Sequence, residues 1–200
     1  MCGRFENRIR EEWMMEKFAE FDISIIFKTK DKVIKKENIA PTNTIITLFN
    51  NGNDYLINSD TWGIKFSEKS PLIFNSRIET ISSKHFWKML FDKNRCIIPM
   101  SAFYEWKKEN NKKVPYRIFL KNEEMFFVPG LFHIDKKGQK FVSLITTEPN
   151  EFMKNIHHRM PVILNMKDAI DYLNDKAEAN FEKCLPYKNY KNMDMELAEI

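Results

Sequence analysis

Short runs of strand-forming residues recur through the middle of this 200-residue chain, and only a few turn-forming residues separate each run from the next. Between residues 95 and 147 the runs cover 95–99, 103–107, 114–120, 125–132 and 140–147. Connections this short favour antiparallel neighbours, because a parallel pair needs a long crossover. The pattern therefore predicts a largely antiparallel sheet.

Helix signals flank this strand-rich region. Asn7 precedes apolar residues at helical spacing over about 8–20, and a second helix is predicted over about 82–91. Asn165 is placed to cap a third helix that ends near residue 173.

Additional strand signals lie before residue 60. Runs at 44–49 and 55–59 flank the Asn-rich stretch 50–53, which predicts a hairpin turn. Residues 23–27 are also strand-like, whereas the charged stretch 28–36 predicts a solvent-exposed loop. No repeat or linker divides the chain. We therefore expect one domain over residues 1–200, of the α+β class, with antiparallel sheet dominant and helices at the periphery.

The composition is that of a globular protein with a substantial core. Apolar residues make up 43% of the chain and include 17 Phe and 4 Trp, which excludes disorder. No run approaches 18 apolar residues, so no transmembrane helix is expected. The amino-terminal stretch lacks the apolar segment of a signal peptide, which predicts a cytoplasmic protein. The net charge of +4 permits a nucleic-acid partner without requiring one.

The three cysteines are widely spaced and odd in number, so they predict neither a disulfide framework nor a zinc site. The chain also lacks a CxxC pair and a helical His–Glu–His pattern, and we expect no metal and no cofactor. Cys96 and Cys184 are predicted to be small buried residues. Cys2 differs because removal of the initiator Met1 makes it the amino-terminal residue.

An amino-terminal cysteine carries two nucleophiles on adjacent carbon atoms. Its α-amine has a pKa of about 7.7–8.0 and its thiol a pKa of about 8.5. The amine can attack an aldehyde to form a Schiff base, and the thiol can then close a five-membered thiazolidine ring. An internal cysteine cannot do this, because its nitrogen is held in an amide. Gly3, the next residue, lets the backbone approach a ligand closely.

Three classes of function are compatible with this terminus. An aldehyde-capturing protein uses both the amine and the thiol. An amino-terminal-nucleophile amidohydrolase, such as a glutamine amidotransferase, attacks an amide with the thiolate and needs an oxyanion hole. For glutamine binding the chain offers only the turn at 51–53. In a noncatalytic binder of single-stranded DNA, Cys2 would be incidental.

Five distinctive segments follow one another along the chain. In order, they are CGRF at 2–5, NIAPT at 38–42, NSRIET at 75–80, RCIIP at 95–99 with FYEW at 103–106, and IHHRMPV at 156–162. Their order and spacing resemble those of the SOS-response-associated peptidase (SRAP) family, the abasic-site-processing proteins. The resemblance covers residues 2 to about 173, whereas the polar, weakly helical segment at about 175–200 carries little of it.

The resemblance implies the SRAP fold, with curved, barrel-like antiparallel sheets. It also implies that Met1 is lost, which in the family is described as self-cleavage. The aldehyde of a ring-opened abasic site in single-stranded DNA would then react with Cys2, by lyase-like Schiff-base chemistry, to give a thiazolidine DNA–protein crosslink in the DNA damage response. The family's active-site residues match Cys2, Asn75, Glu105 and His157.

The chemistry of the last three side chains fits such a reaction. Asn75 can orient the Cys2 amine or the sugar hydroxyls, although an Asn also often fills a turn. Glu105 lies within an aromatic strand; if it points inward, burial raises its pKa and suits it to proton transfer, whereas on an edge strand it only pairs with a Lys. A His with a pKa near 6.5 suits protonation of the sugar oxygen. Adjacent side chains are expected to diverge, so only one of His157 and His158 is expected to serve the site, and the family pattern His-x-Arg-Met-Pro assigns the role to His157.

For DNA binding, the resemblance matches Arg4 and Arg77 to positions that contact phosphates. Arg159 can contact a phosphate or form a buried ion pair. Trp62 can belong to the core or stack on a base. The expected partner is abasic single-stranded DNA bound by a monomer at the nucleoid, with no membrane and no metal.

The chain departs from the family pattern at two places. Family members commonly have a Pro and aromatic residues after the Trp-Gly element, but the stretch 64–68 leaves Phe66 as the only aromatic candidate for DNA contact. Ala102 stands where a Gly is common. These departures affect the expected DNA contacts more than the chemistry at Cys2.

Overall fold

The computed structural model describes residues 2–28 and 36–200, in which it has thirteen strands and five helices. The strands, β1 to β13, are Arg4–Asn7, Ile25–Phe27, Lys36–Ile39, Thr44–Asn50, Tyr55–Trp62, Asn75–Arg77, Arg95–Met100, Ala102–Glu109, Lys112–Leu120, Phe126–Ile134, Lys140–Thr147, Met160–Pro161 and Met193–Leu197. The helices, α1 to α5, are Glu11–Ala19, Ile78–Ile81, His85–Lys93, Met166–Asn174 and Ala177–Lys183. No helix among the described residues is long and apolar enough to cross a membrane.

Five strands close into a barrel. Antiparallel pairing runs in the order β11, β10, β7, β4 and β5, and β5 then pairs in parallel with β11, where Phe141 lies opposite Thr61. The strands β2, β6 and β12 extend this sheet. The α+β class and the curved, mainly antiparallel, barrel-like sheets are therefore confirmed.

A second antiparallel sheet has the strand order β13, β9, β8, β1 and β3. In it β1 pairs with β8, so that Arg4 lies opposite Tyr104 and Phe5 opposite Phe103. The amino-terminal strand is thus held beside the FYEW segment. Phe5 and Phe103 are buried in one apolar cluster with the barrel residues Ile98 and Leu144.

The hairpin predicted around residues 50–53 is confirmed by the pairing of β4 with β5. The Asn165 cap is also confirmed, because the Asn165 side chain accepts a hydrogen bond of 2.8 Å from the Asp168 N–H. The other two helices differ from prediction. The Asn7 side chain accepts from the Ile9 N–H, and α1 begins only at Glu11. In place of one helix over 82–91, the chain forms α2 and α3 with a break at 82–84.

The carboxyl-terminal segment is more ordered than its polar sequence predicts. It forms α5 and then β13, which pairs with β9 from Met193 opposite Leu120 to Leu197 opposite Tyr116. The predicted loop at 28–36 falls mostly outside the described residues.

Candidate functional site

Cys2 lies just before β1 and is completely buried. Its Sγ is 3.5 Å from the backbone oxygen of Arg4, to which the thiol donates. Burial, together with the negative charge of Glu105, raises the pKa of the Cys2 thiol well above its usual value. The thiol is therefore protonated at neutral pH. The expected loss of Met1 concerns a residue outside the described part of the chain.

Asn75 holds the backbone of Cys2 in place. Its strand, β6, pairs in parallel with β11, and a hydrogen bond of 2.7 Å between the hydroxyls of Ser76 and Ser143 joins the two strands. From this position the Asn75 Nδ2 donates to the Cys2 carbonyl oxygen at 2.8 Å. The Oδ1 of the same amide is buried and has no hydrogen-bond partner among the described residues, so it can accept a hydrogen bond from a ligand.

Glu105 points inward from β8, which is the first of the two orientations that the sequence left open. Its side chain is only 2% exposed, and its neighbours in the strand are the buried Tyr104 and the half-buried Trp106. Burial raises its pKa above the usual value for a glutamate, because the charged form loses its hydration. A carboxyl group in this condition can hold and release a proton at a higher pH than an exposed one.

His157 follows a single 3-10 turn over Met153–Asn155. Its Nδ1 lies 3.1 Å from the backbone nitrogen and 3.3 Å from the backbone oxygen of Arg159, which fixes the orientation of the ring. Burial lowers its pKa to about 4. The expected pKa near 6.5 is therefore wrong for this environment, and the imidazole is neutral at pH 7.

The expected divergence of the two histidine side chains is also wrong. The rings of His157 and His158 stack with their centroids 4.3 Å apart and their planes 28° apart. The segment turns sharply here, between the 3-10 turn and the short strand β12, so neighbouring side chains can lie on the same side. His158 is the exposed member of the pair.

The structure brings these segments together around the start of β1. Asn75 bonds to Cys2, and the charge of Glu105 acts on the Cys2 thiol. Ile156 and Met160, on either side of His157, pack into the same apolar cluster as Cys2. One buried region therefore holds a thiol, a carboxyl group, an amide and, at its border, an imidazole.

Arg159 is engaged in an ion pair beside this region. Its guanidinium donates to both carboxylate oxygens of Glu79, at 2.7 and 3.0 Å, and to the Thr146 backbone oxygen at 2.7 Å. The Arg159 side chain is only 9% exposed. These contacts favour the buried ion pair over a phosphate contact, and they anchor the backbone that holds His157.

The other two arginines lie on different strands. Arg4, in β1, is half-buried and donates to the Asn38 side-chain oxygen. Arg77, in β6, is exposed and shares a face of the strand with Asn75. The residues Ile73, Asn75, Ser76, Arg77, Thr80 and Trp87 line a cavity of about 210 Å³ on this side of the molecule.

Of the two aromatic candidates for DNA contact, Trp62 is buried and Phe66 is exposed. Trp62 has no exposed surface, packs edge-on against Phe5 and Phe74, and donates from Nε1 to the Phe74 backbone oxygen at 2.9 Å. It therefore belongs to the core, the first of its two possible roles, and presents no face to a base. Phe66 is 51% exposed and contacts Phe86 and His133.

Sequence reasoning missed Trp87, which lines the cavity together with Asn75 and Arg77. In a helix, position 87 shares a face with Leu90 and Phe91, and both of these are fully buried. That spacing predicts a core residue. Only the three-dimensional structure shows that the Trp87 side chain is half-buried at the edge of the core.

Cys96 and Cys184 are both fully buried, as predicted, and all three cysteines are free. In residues 2–28 and 36–200 no group of three or more His, Cys, Asp or Glu side chains is arranged to hold a metal ion. The absence of a metal requirement stays a prediction.

Comparison with known proteins gives consistent results. The family model described as SOS response associated peptidase (SRAP) matches residues 1–200, so the match extends beyond the part that the motifs cover. The chain is 36% identical to the abasic site processing protein YoaM of Bacillus subtilis, over 88% of this chain and 80% of that protein. It is 34% identical to the abasic site processing protein YoqW of the same bacterium, over 100% and 92%.

Solved structures show the same fold at lower sequence identity. The crystal structure of a protein from Bacteroides thetaiotaomicron matches with a TM-score of 0.81 and 22% identity, over 99% of this chain and 92% of that one. A protein from Bordetella bronchiseptica matches with a TM-score of 0.78 and 18% identity, over the whole of both chains.

Proposed function

The chain belongs to the SOS response associated peptidase family, and on that premise we propose that it captures abasic sites in single-stranded DNA through a covalent thiazolidine crosslink at Cys2. The observation that carries the proposal is the hydrogen bond of 2.8 Å from Asn75 to the Cys2 carbonyl oxygen, which holds the buried second residue in the same region as the buried carboxyl group of Glu105. The curated relatives YoaM and YoqW, whose names describe abasic site processing, support the same substrate.

The proposal requires that Met1 is removed. Only then does Cys2 have a free α-amine next to its thiol. We also propose that the protein removes Met1 itself, through the family's peptidase activity. One water molecule hydrolyses the peptide bond between Met1 and Cys2. The Asn75 hydrogen bond to the Cys2 carbonyl then holds the new terminus in the site.

The first bond forms between the amine and the lesion. The Cys2 nitrogen attacks the aldehyde carbon of the ring-opened sugar and gives a carbinolamine, whose hydroxyl must leave as water. The Glu105 carboxyl can supply the proton for this departure, because burial raises its pKa and keeps it protonated at a higher pH. The products of this step are a protonated Schiff base (an iminium ion), water and a Glu105 carboxylate.

The second bond closes the ring. The thiol of Cys2 adds to the iminium carbon, and the iminium nitrogen, which keeps its single proton, becomes the neutral amine of the ring. The Glu105 carboxylate takes the thiol proton as the carbon–sulfur bond forms, which restores the carboxyl group. A thiol with a raised pKa suits this order, because it is a poor nucleophile until a base removes its proton.

The remaining site residues orient the reactants. The buried Oδ1 of Asn75 can accept a hydrogen bond from a sugar hydroxyl or from the Cys2 amine. The neutral His157 can donate a ring N–H to a sugar oxygen without carrying a positive charge. Arg159 acts as a positioning residue for His157 through its ion pair with Glu79.

Affinity for the strand would come mainly from phosphates. Arg77 is exposed beside Asn75, and Arg4 lies two residues after Cys2, so both can contact a backbone that threads past the site. The exposed Phe66 can contact a base. Phosphate contacts predict that binding weakens as the salt concentration rises.

The test is adduct formation with a single-stranded oligonucleotide that carries one abasic site. The wild type and Cys184→Ala, which changes a cysteine buried with Phe91 in an apolar cluster separate from that of Cys2, are expected to give a band that resists heat and detergent. Cys2→Ser retains an amine but no thiol, and is expected to give no stable band. An unchanged yield from Cys2→Ser would refute the proposal.

A further inference from the structure

The cavity beside Asn75 is directly connected to the candidate site. Asn75 bonds to the Cys2 carbonyl through Nδ2 and also lines the cavity together with Trp87. A nucleotide adjoining a sugar held at Cys2 would therefore lie within reach of this cavity. Its volume is about 210 Å³ and it is open to solvent, which suits a flat ligand such as one base.

The ring of Trp87 is held by neighbouring aromatic side chains. Phe86 packs edge-on against Trp87 at a centroid distance of 5.3 Å, and Phe66 packs edge-on against Phe86 at 4.9 Å. A half-buried ring fixed in this way presents a preformed apolar surface and loses little conformational freedom when a ligand stacks on it.

The side chains around Trp87 carry positive charge, which can pair with the phosphates of a nucleic acid. Arg77 lines the same cavity and is exposed, and Lys84 and Lys88 are exposed at the start and in the first turn of α3. An aromatic ring flanked by cations is the arrangement that binds single strands, in which bases stack on the ring and phosphates contact the cations.

We propose that Trp87 is a stacking platform for the base of the nucleotide next to the abasic site. The inference rests on the proposed function, since it takes its ligand from the lesion-bearing strand. An abasic nucleotide leaves the neighbouring base without one of its stacking partners. The indole ring replaces that partner and thereby positions the sugar at Cys2.

Affinity for an unreactive lesion tests the platform without relying on covalent chemistry. Labelled oligonucleotides carry a tetrahydrofuran residue, which has no aldehyde, and its 5′ or 3′ neighbour is either adenine or a second tetrahydrofuran. For the wild type we expect tighter binding with adenine, on one side of the lesion, by about 5- to 100-fold. Fluorescence anisotropy measures the dissociation constants.

Two variants separate stacking from packing. Trp87→Leu keeps an apolar side chain but removes the ring, and its preference for adenine is expected to fall to about one. Trp13→Leu is the matched control, because Trp13, like Trp87, is half-buried against the apolar cluster that contains Leu90 and Phe91, but it lies in α1. It is expected to keep the full preference. A wild type with no preference on either side, or a Trp87→Leu that keeps it, would overturn the proposal.

Tryptophan fluorescence provides a second measurement, which uses a variant that keeps an aromatic ring at position 87. The adenine-flanked oligonucleotide is expected to quench the wild type, and Trp87→Phe is expected to lose this quenching while it retains a ring. Equal quenching of the two proteins counts against the platform. Because neither readout involves a covalent bond, absence of any crosslink with aldehyde-bearing DNA would refute the proposed function alone. A normal crosslink with no adenine preference would refute the platform alone.

Discussion

At the scale of single residues, burial determines which groups of the site carry charge. It raises the pKa of the Cys2 thiol and of the Glu105 carboxyl, and it lowers the pKa of His157 to about 4. All three shifts favour the neutral form, because a charge loses hydration in a poorly solvated region. The site is thus suited to moving protons between neutral groups.

Replacing Glu105 by Gln should slow crosslinking. Gln cannot transfer a proton, so the rate constant at saturating abasic DNA is expected to fall by about 10²–10⁴-fold. Because the pKa of Glu105 is raised, the wild-type rate should decline with rising pH at a value above the ordinary glutamate pKa of about 4.3. Glu105→Gln should lack this decline, and single-turnover measurements across pH check both expectations.

The matched control for that substitution is Glu109→Gln. Glu109 lies in the same strand, β8, but its carboxylate pairs with Lys107 and Tyr116. It should keep the wild-type rate and pH profile. A Glu105→Gln protein with the wild-type profile would exclude Glu105 as the proton-transfer group.

The protonation of His157 can be measured directly. Its pKa of about 4 lies below the reference value of about 6.5, so its ring should stay neutral down to about pH 5. A histidine whose folded pKa is lowered destabilises the folded protein as pH falls from about 6.5 to 4, since the unfolded chain binds the proton first. NMR titration of the ring proton, assigned with His157→Gln, checks the value, and a midpoint near 6.5 would contradict it.

The resemblance to the family supplied Cys2, Asn75, Glu105 and His157 as candidate site residues, and the structure brings their segments together, whereas their roles stay predictions. Their pKa values could not be predicted in the same way, because burial depends on which strands cover each side chain. The roles of Trp62 and Arg159 also could not be decided from the sequence. Each had two possible roles in the sequence, and only the packing of Trp62 on Phe5 and the pairing of Arg159 with Glu79 distinguish them.

At the scale of elements, the strand β1 positions Cys2 and is held by a buried ion pair. Glu6 is fully buried and accepts hydrogen bonds from Arg117 at 2.9 Å and from the Tyr104 hydroxyl at 2.9 Å. Although burial acts in the opposite direction, these donors hold the pKa of Glu6 below its usual value. The contacts join β1 to β8 and β9 and fix the register that places Cys2 near Glu105.

The carboxyl-terminal strand also supports the site. Met193 in β13 is 3% exposed and packs in the apolar cluster that contains Cys2. Met193→Ala should therefore lower the free energy of unfolding by about 2–5 kcal/mol. Leu197→Ala changes the same strand at a side chain that is 70% exposed, and should alter it by less than about 0.5 kcal/mol. Urea unfolding measures both, and equal losses would contradict the packing of β13.

The local pattern of apolar and polar residues predicted the β4–β5 hairpin but not the strand β13. The β4–β5 hairpin has a clear turn between two apolar runs. The sequence of β13, Met-Asp-Met-Glu-Leu, also alternates apolar and acidic residues, as a half-buried strand does. Its partner, β9, lies more than 70 residues earlier, and the polar residues around β13 obscured the alternation.

At the scale of the whole molecule, the barrel closes through the parallel contact of β5 with β11, which joins residues 80 positions apart. No short-range signal specifies that contact, so the sequence predicted antiparallel strands, and the resemblance supplied the barrel-like curvature. The closure matters for function because β11 also pairs with β6, the strand that carries Asn75 and Arg77.

The mass of the intact adduct tests the central claim most directly. After reaction with an abasic oligonucleotide, the predicted mass is that of the protein without Met1 plus the oligonucleotide, less one water molecule. Fragmentation should place the added mass on Cys2, and reduction with borohydride after the reaction should not change it, because the closed ring has no imine. An adduct that retains Met1, or that is joined through a lysine, would contradict the account.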